Sequence, residues 1–358
     1  QVPSQADMLM LLAPEELHEK QLFAVDQFLM RGGTVVLASS PFAIDTQGSL
    51  AARRQTSGLE DWLTHHGITL EPEMVLDPQN AAFPIPVDRQ IGGFVVRETQ
   101  LVDYPCFVDV RGDGIEQESG LAAGVAQVTL TWPSPITLDA EKNQQRKLIR
   151  LLESSDRAWT SDSQDIQPDY AAHGALGFLP GEQTGRQLLA LALEGRFDSF
   201  FKGKASPLAA PERPPAAEAE TEAEASDAEA ESAPEPEPTV TRVIERSPES
   251  ARIILFGSNS FLSDEMLDLA AAGLGTRYLA PVDLLANAID WSLEDRGLLA
   301  IRGRAQFSRT LAPLYRSAQV FWENLNYTLA LIGLLLVWLL RRQVYRRAAL
   351  RYAALLNG

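Results

Sequence analysis

The run VFWENLNYTLALIGLLLVWLL from Val320 to Leu340, followed directly by RRQVYRRAALR, constrains this chain more than any other stretch. Its 21 residues cover about 30 Å at the helical rise, the thickness of a bilayer's hydrocarbon core. Leu329 to Leu340 carries no charge, so residues 320–340 read as one C-terminal transmembrane helix. A helix buried in a globular core is the alternative. Phe321, Trp322 and Tyr327 fall at one end and Trp338 at the other, where amphipathic rings favour the membrane–water interface. Glu323, Asn324 and Asn326 lie in the first turns, which leaves a short apolar core.

Sidedness follows from the flank. Arg341, Arg342, Arg346, Arg347 and Arg351 lie within a dozen residues of the span. The positive-inside rule therefore makes 341–358 a basic cytoplasmic tail and 305–319 a juxtamembrane connector on the far side. A cytoplasmic domain with a C-terminal tail anchor would put these arginines on the wrong face. Export of so large a domain requires a signal or an earlier span. The opening QVPSQADMLML starts at Gln1, and Asp7 interrupts its short apolar run, so the reading expects an upstream membrane-crossing segment.

Net charge is −17, but it is concentrated. Glu212 to Glu237 holds ten acidic residues and one arginine, so −10 + 1 = −9 of the excess sits there. PERPPAAEAETEAEASDAEAESAPEPEP has no aromatic residue and only Thr221 as a β-branched one. Such a stretch buries too little surface to offset its ordering entropy, and 208–239 reads as a self-repelling, disordered linker. The one dense basic cluster is the juxtamembrane tail, which excludes a nucleic-acid footprint. Cys106 is the sole cysteine, so no intrachain disulfide can form; a Gram-negative periplasm is compatible with that.

Both flanks of the linker read as α/β. Met8 to Leu12 is a short apolar run, EELHEKQLFAVDQFLMRGG an amphipathic helix stopped at Gly32, and TVVLASSP a second buried strand. Strand, helix and strand in this order make a βαβ unit, which implies a parallel pair. Leu59 to His66 reads as a helix ending at Gly67, and Ile91 to Thr131 as strands and hairpins. Glu141 to Leu152 and Gln187 to Glu194 read as helices. After the linker, Ile253 to Phe256 is a strand, the turn Gly257, Ser258, Asn259, Ser260 leads to a helix from about Ser263, Pro281 to Leu293 is a second helix, and GLLAIRGR a strand. Residues 240–304 therefore read as a continuation of the 1–207 ectodomain, with the linker an excursion from one sheet.

These segments carry a resemblance. DMLMLLAPEELHEKQLFAVDQFLMRGGTVVLASSP, with its Asp-Gln-Phe pattern before two glycines, then GITLEPEMVLD, TWPSPITL, and RIILFGSNSFLSDEML with LLANAIDWSLEDRGLLAIRGR before a closing span, together resemble the GldG-like auxiliary components of ABC transporters, a family named for gliding motility. The resemblance covers nearly the whole chain outside the linker. It implies a Rossmann-like, glutamine-amidotransferase-like parallel-sheet ectodomain with added β-strands. It also implies partnership with an ABC permease and a cytoplasmic ATPase, or with a permease domain fused upstream, in the inner membrane. Membrane lipids and a homo- or hetero-oligomer complete the expected partners. Family members often read Gly-Asp-Ser-Asp-Phe where this chain has Gly257, Ser258, Asn259, Ser260 and Phe261, so an acidic site there is absent. The turn retains hydroxyls, an amide and a helix N-terminus for a polar ligand or partner, beside the plain reading of a capped βα turn.

No catalytic, metal or cofactor residues are assigned. Cys106 in DYPCFVDV lacks a nucleophile elbow and reads as a buried, inert thiol. His65 and His66 are adjacent, so on a helix they diverge and cannot share one metal; they read as helix C-terminal caps. His18 and His173 are isolated, and GFLPGEQTGR lacks the P-loop lysine. The expectation is a non-catalytic, membrane-anchored auxiliary subunit, set against a periplasmic carbohydrate- or lipid-binding module or a degenerate envelope hydrolase.

Overall fold

The computed structural model describes residues 2–3, 5–46, 50–91, 94–208, 243–274, 277–293 and 316–356. Residues 1–307 form one compact unit and 308–358 another. The first opens with β1 (Met8–Leu12), α1 (Glu19–Met30) and β2 (Thr34–Ala38). The strands β3 (Phe42–Asp45) and β4 (Ala51–Arg54), α2 (Glu60–His65), β5 (Ile68–Leu70) and β6 (Met74–Leu76) follow. Next come β7 (Asn80–Ile91), β8 (Phe94–Arg111), β9 (Gln127–Thr131), β10 (Ile136–Leu138) and the single-turn α3 (Ala140–Asn143). The elements β11 (Lys147–Glu153), β12 (Trp159–Ser161), α4 (Tyr170–His173) and β13 (Leu188–Glu194) precede the acidic segment. Beyond it lie β14 (Arg252–Phe256), α5 (Asp264–Leu274) and α6 (Ala280–Leu293).

The central sheet runs β1-β2-β14-β13-β11. Strands β1, β2 and β14 are parallel, while β13 is antiparallel to both β14 and β11. The βαβ unit is present, but the sheet is mixed, which corrects the expectation of a parallel sheet. The strand that follows the acidic segment lies between the strand after α1 and the strand before that segment.

Two helix expectations also fail. Glu141 to Leu152 contains only the short α3 before β11, and Gln187 to Glu194 is β13. All seven residues of LLALALE are buried. A strand covered on both faces reads as a continuous apolar run, which periodicity does not separate from a buried helix, and the helical propensity of Leu and Ala yields to pairing between β11 and β14. The expected strand GLLAIRGR lies outside the described residues, as does most of the predicted disordered linker.

Alternation along the strands builds a core on each face. Val35, Leu37, Leu191, Ile253 and Leu255 meet Leu22, Phe28 and Leu29 of α1 and Trp62 of α2. Val36, Ala38, Ala190, Ile254 and Phe256 share the opposite cluster with Leu284, Ala288 and Trp291 of α6. The α1 helix ends as its sequence expects: Gly32 takes φ +93°, and a Cβ there would lie 2.7 Å from Pro248 Cγ. A third, aromatic cluster gathers Phe42, Tyr104, Phe107, Trp132 and Trp159. Within β8 the pairing jumps from Asn80↔Val108 to Ala82↔Asp103. Beyond this bulge the β7–β8 ribbon leaves Val87, Val95 and Val96 exposed.

The second unit contains α7 (Arg316–Leu356). Its stretch Val320–Gln343 has a mean hydropathy of 1.5 and is long and apolar enough to cross a membrane.

Candidate functional site

In α/β sheets, ligand sites favour the carboxyl ends of parallel strands. Gly257, Ser258, Asn259 and Ser260 stand there, after β14, but their polar groups serve the fold. Ser258 is fully buried, and its Oγ donates to the Thr131 carbonyl at 2.6 Å. Asn259 Nδ2 donates to the Phe42 carbonyl at 2.9 Å. The Ser260 and Thr131 hydroxyls pair at 2.7 Å, and Ser134 N donates to the Gly257 carbonyl at 2.7 Å. A Cβ on Gly257 would collide with the Ser134 carbonyl, so glycine permits this close backbone approach. The turn binds β14 to the end of β9 and to β3. Trp132 sits at the same edge with φ +45°, and its Nε1 donates to Tyr104 Oη at 3.1 Å.

A second cluster centres on Asp26 and Gln27 of the Asp-Gln-Phe pattern, which the sequence did not mark as a site. Asp26 lies on the buried face of α1 with no exposure at all. Its Oδ1 accepts Trp62 Nε1 at 3.1 Å and Phe200 N at 3.0 Å. Its Oδ2 accepts Ser199 Oγ at 2.6 Å and Gln27 Nε2 at 3.1 Å. Gln27 Oε1 in turn accepts Ile244 N at 2.8 Å. The Asp-Gln pair therefore grips both ends of the acidic excursion, Ser199–Phe200 before it and Ile244 after it. Ser199 N donates to the Glu245 carbonyl at 2.9 Å, and Arg246 pairs with Asp198 at 3.0 Å. A charge inside an apolar helical stripe was the signal available in the sequence.

The groups weighed for catalysis are arranged for structure. Burial pushes the Cys106 thiol up to about 12, so it is held protonated and away from nucleophilic chemistry. Cys106 and His173 line one cleft. His18 N donates to Gln21 Oε1 as part of a helix cap at 2.9 Å. His65 Nε2 lies 3.0 Å from the Asp198 carbonyl. His66 is fully buried, edge-on to Trp62 at 4.5 Å and near Phe197 at 5.4 Å. Neither of its ring nitrogens has a hydrogen-bond partner among the described residues. Burial first, then the charges of His65, Arg146 and Lys142, hold its pKa well below the usual value. It is a neutral packing residue, which corrects its reading as a charged helix cap. Among the described residues, no group of three or more His, Cys, Asp or Glu could hold a metal.

Asp109 is the acidic counterpart of His66. It is 2% exposed, its Oδ1 has no partner among the described residues, and Arg111 Nη1 lies 3.5 Å from Oδ2. Burial raises its pKa to about 6 against the pull of Arg111 and the Gln127 hydrogen bond, with Asp77 adding to the rise. The folded chain thus holds this proton to higher pH than the unfolded chain. Its stabilising contribution is full below about pH 4 and is lost as pH rises through about 6. His66 has the opposite sign, with a contribution full above about pH 6.5 and lost on acidification. Denaturant unfolding across pH 4 to 6.5 should show the parent losing about 2 kcal/mol relative to Asp109→Asn as pH rises from about 4 to about 6. His66→Leu should gain on the parent as pH falls below about 6.5. Parallel pH profiles for the parent and both variants would refute these assignments.

In the second unit, α7 carries the four aromatic residues expected at the membrane interfaces. Phe321, Trp322, Tyr327 and Trp338 are all exposed. Tyr327 Oη donates to Glu323 Oε1 at 3.3 Å, Thr328 Oγ1 donates to the Asn324 carbonyl at 2.7 Å, and Arg342 stacks over Trp338 at 5.1 Å. These internal contacts shield the polar groups that begin and end the apolar stretch.

The chain thus joins to its mixed α/β unit one helix long and apolar enough to cross a membrane. A family model described as "ABC-type uncharacterized transport system" matches residues 1–288, and the chain belongs to that family of auxiliary transport components. It is also similar to an uncharacterized protein of Borreliella burgdorferi, 21% identical over 201 residues. That match takes in 55% of this chain and 37% of the relative, so the chain spans little more than a third of the relative's length.

Proposed function

We propose that this chain is a non-catalytic, membrane-anchored auxiliary subunit of an ABC-type transport system. The observation that carries the reading is the pairing of the family match over residues 1–288 with a membrane-length helix at Val320–Gln343. In this reading the α/β unit lies outside the cytoplasm as a GldG-like, Rossmann-derived ectodomain. Helix α7 crosses the inner membrane, with Phe321, Trp322 and Tyr327 at the outer interface and Trp338 at the inner one. Arg341, Arg342, Arg346, Arg347 and Arg351 hold the tail in the cytoplasm against anionic lipid. A permease packs against α7, and its ATPase supplies the work. The Gly257–Ser260 turn acts as a joint that keeps the carboxyl edge of the sheet rigid.

The test is affinity purification of the full chain from native membranes in mild detergent. The expected result is recovery of a polytopic permease and a P-loop ATPase in fixed ratio. Recovery of the chain alone, under conditions that preserve other membrane complexes, would refute the proposal.

A further inference from the structure

One cleft in the α/β unit belongs to neither the turn after β14 nor the Asp26 cluster. It lies between β6, β12 and the segment from Ser163 to Leu179 and encloses about 330 Å³, within the range of small-ligand pockets. Its floor is apolar: Met74, Leu76, Cys106 and Trp159 line it, and each is less than 5% exposed. Phe178 and Leu179 line the cleft from the 163–179 segment, and Leu179 is 74% exposed. That lip is built in place. Tyr104 Oη donates to the Ile166 carbonyl at 2.8 Å, Tyr170 Oη donates to the Asp103 carbonyl at 2.9 Å, and Ala52 N donates to the Gln164 carbonyl at 3.2 Å.

Charge selects the occupant. Asp165 and Asp169, both exposed, line the rim of the cleft, His173 also lines it, and among the described residues no lysine or arginine does. Asp165 Oδ1 accepts Gln167 N at 3.1 Å, while Asp169 Oδ1 accepts Ala171 N at 3.0 Å and Ala172 N at 2.9 Å. In each carboxylate the backbone takes Oδ1 and leaves Oδ2 without a partner among the described residues. An anionic ligand would meet two carboxylates with no lysine or arginine to offset them. Among the described residues, no group of three or more His, Cys, Asp or Glu is there to hold a metal ion. The geometry points to a site for a small organic cation: an apolar body against Trp159, Met74 and Leu179, and an ammonium group between Asp165 and Asp169. The inference goes beyond the transporter reading and does not depend on it.

The test uses the full chain in nanodiscs, labelled with 5-fluorotryptophan and observed by ¹⁹F NMR. The chain has six tryptophans, and a Trp159→Phe variant assigns the resonance on the cleft floor. Three probes of one shape are titrated: 2-phenylethylamine, 2-phenylethanol and phenylacetate. The amine should shift the Trp159 resonance saturably, with an affinity about tenfold above the alcohol, as one or two partly exposed ion pairs provide. Phenylacetate should leave the resonance unmoved. In the Asp165→Asn, Asp169→Asn double variant the amine should lose its advantage over the alcohol, while the other tryptophan resonances report an unchanged fold. No shift with the amine, equal shifts with all three probes, or a preference that survives the double variant would each overturn the proposal.

Discussion

Asp26→Ala is expected to destabilise the α/β unit by roughly 3–5 kcal/mol, because it strips a buried acceptor from several donors at once. Trp62 Nε1, Phe200 N, Ser199 Oγ and Gln27 Nε2 all end on this carboxylate. Trp62 and Ser199, like Asp26 itself, have no exposure, so water cannot replace the lost partner at these two donors. For a unit of this size such a loss lowers Tm by roughly 10 °C, which thermal unfolding of the full chain in detergent would measure. Asp26→Asn keeps the volume and one oxygen but turns an amide against two donors, so its loss should be smaller. The damage should also be local at first. Residues 197–201 and 243–247 converge on this cluster, through Phe197 N to Ser247 Oγ at 2.8 Å and Ser247 N to the Phe197 carbonyl at 2.9 Å. Hydrogen exchange in these two segments should therefore accelerate before the central strands β2 and β14 lose protection. An Asp26→Ala chain with parental Tm and parental exchange in both segments would show that the carboxylate is a passenger.

The same cluster marks the limit of what the sequence made legible. The βαβ unit could be read because three independent signals agreed: a short apolar strand, an amphipathic helix closed by Gly32, and a β-branched run at TVVLA. Gly67 and the acidic first turn at Asp264 and Glu265 delimited α2 and α5 for equally local reasons. What was missed depends on partners far along the chain. LLALALE is a strand only because β11 and β14 flank it, and nothing within those seven residues encodes that neighbourhood. Asp26 and Gln27 stood in a recognisable pattern, but their purpose appears only when Ser199 and Ile244 arrive from the two sides of the acidic segment. The turn at Ser258 was noticed for its hydroxyls. Whether these face solvent or the Thr131 carbonyl is set by β9, more than a hundred residues earlier in the chain. The cleft over Trp159 left no signature, since its floor comes from β6, β8 and β12 and its lip from an irregular segment.

The largest effect on the membrane side should come from Leu331→Asp together with Leu335→Asp. Both lie near the middle of Val320–Gln343 and one turn apart on α7. An aspartate at the centre of a spanning helix costs about 2.5–3.5 kcal/mol on insertion scales, beyond the leucine contribution that is lost. Two of them therefore outweigh much of the gain from a stretch whose mean hydropathy is only 1.5. Placing both on one face removes the option of spreading the cost around the helix. The terminal polar residues offer little rescue, because Glu323, Asn324 and Arg342 already border the apolar stretch, where long side chains would otherwise reach toward water. Alkaline extraction of membranes from cells making the full chain provides the measurement: the parent should stay in the pellet and the double variant should move largely to the supernatant. A matched Leu331→Ile, Leu335→Ile chain should remain with the parent, since apolar volume is kept. Retention of the aspartate variant would mean that α7 is not what holds this chain in the membrane. Retention together with permease co-purification would mean that the two carboxylates lie against protein instead of lipid, where buried partners reduce their cost.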